Sequence, residues 1–441
     1  MKFQFFVVFF LTLGWSYAQE PVEMTLQNAI DYALENSIDM RLAAIEIADA
    51  KEQIIERRSI GIPQVSAGAE YQYFLQIPAS VVDLSNFDPS LPEGTFEKLQ
   101  FGLKNNLTAS ITANALLFDA SYLTGLKAAR AYRDYVQKDR DRVIYEVKNQ
   151  VIESYLPALI LEESKKTLLK NIDNLSNLLN ETKAIYKEGF AEQLDVDRLE
   201  LSLSNLRTEV ENIDRQKEIV YNVLKFQMGY PIREPIMAVD DIEALFEPAS
   251  EEELNGAVNY SMRPEIKVVE LGVQLNELNV ELNKAGYLPS LSAFLSYQQS
   301  AQGNNLFDNP IWVPSSIVGL QLNVPIFDGF YKRSKINRAK LDLEEAQNQK
   351  EQLERSISLE VANARSSYIS AVERAQSQRK NVQLAERIYN TTQIKYKEGV
   401  GSSVEVTQAE QSLYETQQNY TQARYDLLVA KMALEKALGE L

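Results

Sequence analysis

Any chemistry in this chain falls to carboxylates, hydroxyls and amines, because its 441 residues include neither cysteine nor histidine. Thiol nucleophiles, disulfides, imidazole acid–base catalysis and nearly every transition-metal site are thereby excluded. No glycine-rich phosphate loop and no nucleophile elbow is present. The many Asp and Glu pairs on the predicted helices read as solvated faces with i,i+4 partners rather than as paired catalytic carboxylates. Two acids stand apart from that background: Asp195 and Glu405 lie 210 residues apart, each shortly after a glycine, Gly189 or Gly399. In the first turn of a helix such a carboxylate is stabilised by the macrodipole. The sequence therefore offers no catalytic constellation, cofactor motif or metal cluster. A formal net charge of −17 also argues against a nucleic-acid partner, since phosphate contacts need a basic face.

The spacing of those two acids belongs to a duplication of the whole chain. Lys-Asn at 170–171 recurs at 380–381, Tyr-Lys-Glu-Gly at 186–189 recurs at 396–399, and Gly229 pairs with Gly439, all at an offset of 210. Phe118-Asp119 pairs with Phe327-Asp328 at 209, and Ile62-Pro63 with Leu288-Pro289 at 226. The first copy thus carries an extra stretch of chain between Tyr71 and Phe118. A leader over 1–18 comes first: Lys2, an apolar run from Phe3 to Gly14, then Ser16-Tyr17-Ala18 as a cleavage site. The run is too short to span a bilayer, which takes ~20 apolar residues. No cysteine follows it, so no lipoprotein-type lipid is expected. The remaining division is a first repeat over 19–230, a linker over 231–249 and a second repeat over 250–441.

Within each repeat the period changes from two to about 3.5. From Phe101 to Leu117 apolar and polar residues alternate almost without exception, and Val65, Ala67, Ala69, Tyr71 and Tyr73 alternate with Gln64, Ser66, Gly68, Glu70 and Gln72. The spacing predicts strands over about 62–76 and 100–118, and again over about 288–299 and 312–327. Each pair is joined by a Pro/Asn/Asp-rich loop, Ile77–Leu99 or Gln299–Ile311. Helical hairpins follow over 119–229, with a tip near 189, and over 328–438, with a tip near 399. Gly189 and Gly399 end the ascending helices, and Ser402 or Ser403 caps the last descending one. Pro157 is expected to kink the first long helix, which would reach ~100 Å. A coiled-coil seam runs through Leu413, Thr416, Tyr420, Ala423, Leu427, Ala430, Leu434 and Ala437, matched by Leu203, Leu206, Val210, Ile213, Lys217, Val220, Leu224 and Gln227.

No stretch after the leader is apolar enough for a membrane helix, so a membrane role requires strands. Four amphipathic strands leave two open edges, and closure into a barrel requires other chains; three chains would supply twelve strands. Tyr71, Tyr73, Phe74, Tyr297 and Trp312 stand near the loop ends of the strands, as the aromatic girdle of a membrane barrel does. An exported coiled-coil scaffold or adhesin is the alternative from another class, disfavoured by the long alternating strands.

The segments Val324-Pro325-Ile326-Phe327-Asp328-Gly329, Tyr396-Lys397-Glu398-Gly399 with Val404-Glu405-Val406, and Ala437-Leu438-Gly439 resemble the TolC outer membrane efflux family across both halves. The resemblance implies a mainly α protein with a membrane β-barrel: a trimer forming a twelve-stranded barrel continued by an α-helical tunnel across the periplasm. It implies a passive duct for efflux or type I secretion, docked to a periplasmic adaptor protein and an inner-membrane transporter. By matching motif, Asp195 and Glu405 would line the periplasmic aperture, with Tyr396 hydrogen-bonding between helices of the closed gate. The tip residues Gly189, Phe190, Gly399, Val400 and Gly401 would meet the adaptor. This chain departs from the family's pattern at Gln408, often a second acid, at Gly401, commonly arginine, and at Leu116, where the second repeat has Pro325. The departures at Gln408 and Gly401 imply a gate held by fewer ionic contacts.

Overall fold

The computed structural model describes residues 21–87, 90–100, 102–245, 248–305 and 310–440. The expected leader lies outside them. The chain is mainly helical with a four-stranded antiparallel sheet, and it divides into two compact units whose boundaries fall within helices.

The first unit comprises the chain up to Ile45 together with Lys138–Val268 and Glu351–Leu441. It contains β1 (Val22–Met24) and α1 (Leu26–Asn36), then the start of α2 (Ile38–Ser59). The other unit comprises Glu46–Gln137 and Val269–Lys350. Its strands are β2 (Gln64–Tyr73), β3 (Ala79–Asp83), β4 (Phe96–Gln100) and β5 (Asn105–Phe118). Next along the chain come α3 (Ala120–Lys187), α4 (Gln193–Met228), β6 (Ile236–Ala238), α5 (Glu251–Asn255) and α6 (Pro264–Ala285). The strands β7 (Ser290–Gly303) and β8 (Ile311–Asn323) precede α7 (Tyr331–Lys397) and α8 (Ser403–Leu438).

In the helical unit four helix ends are closed by one device. Gly189, Gly229, Gly399 and Gly439 all adopt left-handed backbone, with φ of 81°, 70°, 74° and 85°. At each, the glycine N–H and the next N–H turn back onto the last helical turn, as Gly189 to Tyr186 O and Phe190 to Ile185 O do. These are Schellman closures, which favour a residue without Cβ. Three apolar clusters hold the unit together. One gathers Ala33, Val151, Tyr155, Leu224, Met228 and Leu428; the second Leu168, Leu175, Leu178, Leu199, Leu203 and Leu413; the third Ile357, Val361, Tyr368, Leu434 and Ala437. Seam positions Leu203, Leu206, Ile213, Leu224, Ala423, Leu434 and Ala437 are buried. Locally the seam shifts by one residue: Met228 rather than Gln227 enters the core, and Leu428 is more buried than Leu427, although Ala430, Leu434 and Ala437 beyond it stay in the seam. A straight helix at 3.6 residues per turn slips against a 3.5 repeat in this way. Lys217, read as a seam position, instead reaches Glu162 at 2.7 Å. The helix α3 runs on through Pro157.

The segment between repeats is tied down by buried polar groups. β6 pairs in parallel with β1. Asp240 Oδ2 accepts the Leu26 N–H at 2.6 Å and the Tyr155 hydroxyl at 2.7 Å. Arg263, nearly fully buried, donates to Glu265, Glu360 and the carbonyls of Lys436 and Ala437, closing the end of α8. Such pairing is what makes a buried guanidinium tolerable.

In the sheet-bearing unit the strand order is β2-β5-β7-β8, antiparallel throughout. The two repeats join at β5–β7, so β2 and β8 are the edges. Register places Val65, Ala113, Leu295 and Val318 in one cross-strand row and Gly68, Ser110, Gln298 and Ser315 in a row of opposite parity. One face is therefore apolar and the other polar. On the polar face Thr108 and Ser300 hydroxyls lie 3.2 Å apart, and Ser300 donates to Asn106 at 2.9 Å. Leu116, Phe294, Ile311, Val313 and Ile317 are apolar exceptions there, and Phe294 lies over Gly319, where a Cβ would come within 2.6 Å of the ring. The Ile77–Leu99 stretch differs from the simple loop its composition suggests. Ala79–Asp83 and Phe96–Gln100 pair as a separate hairpin, because each carries a short β-prone run of its own. Gly102, at φ 126°, separates β4 from β5.

Candidate aperture and membrane-facing sheet

The tips of the two hairpins in the helical unit hold the residues singled out for a gate. At the start of α4, Asp195 Oδ2 accepts the Glu192 N–H at 3.2 Å, one arm of a capping arrangement. Its other oxygen accepts a hydrogen bond from Ser403 Oγ. Ser403 opens α8, is 2% exposed, and also accepts from Arg198 Nη1 at 3.3 Å. The first repeat's acid and arginine thus converge on a serine of the second. Glu405 stands differently. Its backbone N–H is capped by Ser402 Oγ at 3.3 Å, while its carboxylate is exposed and makes none of the described ion pairs. The duplicated acids share a position in their helices but not a role within the protomer.

Tyr396 is half-buried near Thr182 and Asp195. Burial raises its hydroxyl above the ordinary tyrosine value, and the Asp195 charge adds to the rise. Thr182 is fully buried and its hydroxyl meets no partner at full hydrogen-bond geometry, although it is close enough to favour the ionised Tyr396. Around these groups run two ion pairs, Lys397–Glu181 at 2.7 Å and Lys183–Glu200 at 2.5 Å. Both are well exposed and so worth ~0–1 kcal/mol each.

Phe190 and Val400 project at 86% and 78% exposure beyond Gly189 and Gly399. Gly401 does not join them. It folds back so that its N–H reaches Lys395 O at 3.1 Å, and a Cβ there would meet Tyr396 N at the same distance. A tight turn therefore accounts for glycine at this place.

Sequence reasoning passed over Arg198, Thr182 and Glu410. Arg198 was legible as the first repeat's counterpart of Gln408, 210 residues earlier. Glu410, on α8, is held largely out of water near Tyr389 and Tyr414. Burial pushes its carboxyl up to about 7, and burial with that charge pushes the Tyr389 hydroxyl to about 12. Glu410 shares the 210-residue offset with Glu200, but nothing in the sequence marks it as buried.

On the sheet, Tyr71, Leu107, Ala301 and Trp312 form one cross-strand row, with Tyr73 a pleat further out. Tyr71 donates to Asn105 at 2.6 Å. Tyr297 shares the apolar face but pairs with Ile111, four residues from that row. Phe74 falls past β2, and alternation puts it on the opposite side from Tyr73. Among the described residues no cluster of three or more potential metal ligands occurs, and no helix is long and apolar enough to cross a membrane.

An amphipathic sheet with two open edges, carried by a chain of paired coiled-coil hairpins, defines a protomer of a membrane channel whose spanning part is built of strands. Comparison with known proteins gives the family. The model of the outer membrane efflux protein family matches residues 29–229 and 260–440. The pyoverdine export outer membrane protein OpmQ of Pseudomonas aeruginosa is 23% identical over 420 residues, covering 94% of this chain and 85% of that one. Among solved structures, CusC aligns with a TM-score of 0.72 at 17% identity, covering 95% of this chain and 93% of that chain. The outer membrane protein VceC of Vibrio cholerae aligns at 0.68 and 16%, covering 94% and 96%. The chain belongs to the outer membrane efflux protein family, a family of channel proteins of the Gram-negative outer membrane.

Proposed function

We propose that three copies of this chain close into a twelve-stranded barrel continued by a helical tunnel, forming a passive duct from periplasm to exterior. The observation that carries this reading is the sheet: edge strands β2 and β8 are unpaired, one face is apolar and the other polar. Open edges in lipid leave backbone groups unsatisfied at several kcal/mol each, so the strands need partners from other copies. The repeats over 19–230 and 250–441 each contribute two strands and one hairpin to every protomer. Tyr71, Tyr73, Tyr297 and Trp312 stand on the lipid-facing side, toward the headgroup interface, and Phe74 stands at the same rim on the opposite side.

At the helical end, Asp195, Glu405 and Tyr396 govern the aperture. Asp195 holds the two tips of one protomer together, and exposed Glu405 supplies charge to the lumen. Phe190 and Val400 offer small apolar contacts to a periplasmic adaptor, with Gly189, Gly399 and Gly401 shaping the turns beneath them. An inner-membrane transporter supplies cargo and energy, and no step of covalent chemistry is assigned to this chain. The test is fractionation with single-channel recording. Outer membrane material should contain an SDS-resistant trimer that conducts when reconstituted, whereas a stable conducting monomer would refute the reading.

A further inference from the structure

We infer that the seams of the barrel bind anionic phospholipid headgroups at the leaflet facing the helices, through cations flanking β2 and β8. The inference rests on the barrel reading above. β8 ends at Asn323, and exposed apolar side chains continue past the strand: Ile326 is 94% exposed and Phe327 77%. Connectivity therefore places the start of α7 at the edge of the apolar layer. Within the next eight residues come Lys332, Arg333 and Lys335. Lys332 Nζ lies 5.6 Å from the Tyr287 ring and 3.6 Å from Asp328, and Lys335 Nζ lies 4.9 Å from the Tyr331 ring. Arg333 is exposed and enters none of the described ion pairs. With Phe327 and Phe330 it borders a cavity of about 160 Å³.

Apart from Lys332, which pairs with Asp328, these cations do not stabilise their helix. The first turn of α7 holds no acid, and positive charge at that end opposes the macrodipole. Phe330 also adopts φ 70°, a left-handed conformation unfavourable for a bulky side chain, and keeps an aromatic ring at this level. The other edge carries the same sign. Just ahead of β2, Arg57 and Arg58 are exposed, in none of the described ion pairs, and followed by exposed Ile60 and Ile62.

When β8 of one copy pairs antiparallel with β2 of the next, both groups come to the same seam on the helical side. Apart from Asp328 beside Lys332 and exposed Glu56 beside Arg57, the groups facing each other there would be cations, in a chain whose net charge is −17. A diester phosphate, with acyl chains lying along Ile326, Phe327 and Ile62, meets both demands at once: negative charge between the cations and hydrocarbon against the apolar side chains.

The test uses the purified full-length trimer in neutral detergent, melted with added phosphatidylglycerol, phosphatidylcholine or inorganic phosphate. Phosphatidylglycerol should raise the trimer melting temperature by on the order of 5 °C, with little effect from the other two. Arg333→Gln should reduce the rise, and Arg57→Gln with Arg58→Gln and Arg333→Gln should abolish it while an SDS-resistant trimer still forms. A single-site Lys335→Gln variant serves if the triple variant does not assemble, and it too should reduce the rise. An equal rise with phosphatidylcholine, a rise with inorganic phosphate alone, or an undiminished rise in the variants that assemble overturns the inference and leaves the channel reading intact. Absence of a trimer under every condition refutes the barrel reading and this inference with it.

Discussion

Replacing glycine by alanine at two of the four helix closures should have unequal effects, although all four share one backbone conformation. At Gly189 an added Cβ would meet nothing within 4 Å, so the substitution costs only the left-handed strain, ~1–2 kcal/mol. At Gly229 the same Cβ would lie 2.6 Å from Asn36 O and 3.1 Å from its carbonyl carbon. That obstacle is backbone at the end of α1, whose Ala29 and Ala33 are fully buried, so it cannot swing aside as a side chain would. Either α1 shifts in its core or the Schellman closure opens, and overpacking of this kind adds ~1–3 kcal/mol. Gly229→Ala should therefore cost ~3 kcal/mol in total and Gly189→Ala about half as much. Gly439→Ala, whose Cβ would come within 2.9 Å of Met262 C, should follow Gly229, and Gly399→Ala should follow Gly189. Urea midpoints of the helical circular dichroism signal, compared at equal slope, read the difference. Equal loss at Gly189 and Gly229 would refute the assignment of the cost to the α1 contact.

Three further expectations concern the helical unit. Burial raises the Glu410 carboxyl from 4.5 to about 7, so its contribution is fully present below pH 4.5 and is lost as pH rises through 7. The loss is ~3 kcal/mol at most, and Glu410→Gln should flatten that part of the stability–pH profile; an unchanged profile would count against the burial argument. Ser403→Ala leaves Asp195 and Arg198 without their shared partner, costing ~1–2 kcal/mol, and should increase open time in single-channel records, with unaltered gating arguing against a tie between tips. Leu434→Asp places an unpaired charge at a fully buried position and should cost ~4 kcal/mol. The same change at half-buried Leu427 should cost less, and equal trimer melting of the two variants would contradict the local shift of the seam from Leu427 to Leu428.

The sequence by itself determined the four long strands, the two helical hairpins and their duplication, because these rest on local periodicity; α1, α2, α6 and the β3–β4 hairpin it left unmarked. Alternation at period two marks a half-solvated strand wherever it occurs, as at Val65–Tyr73, and the glycines after Tyr186 and Tyr396 mark helix ends by backbone sterics alone. Composition, through the missing histidine and cysteine, removed whole classes of chemistry without reference to any fold. Relations between distant residues required the tertiary structure. The repeats meet at β5–β7, between residues nearly 200 apart in the chain, as Asn105 and Gly303 are. Asp195 and Glu405 read as equivalents, yet Asp195 is bound by Ser403 and Glu405 faces solvent, since the hydrogen bonds come from the packing of two non-identical tips. Glu410 differs from its neighbours on α8 by how far it is buried among Tyr389, Tyr414 and the surrounding helices. Desolvation depends on everything packed around a group, and that is a property of the assembled fold rather than of any segment of it.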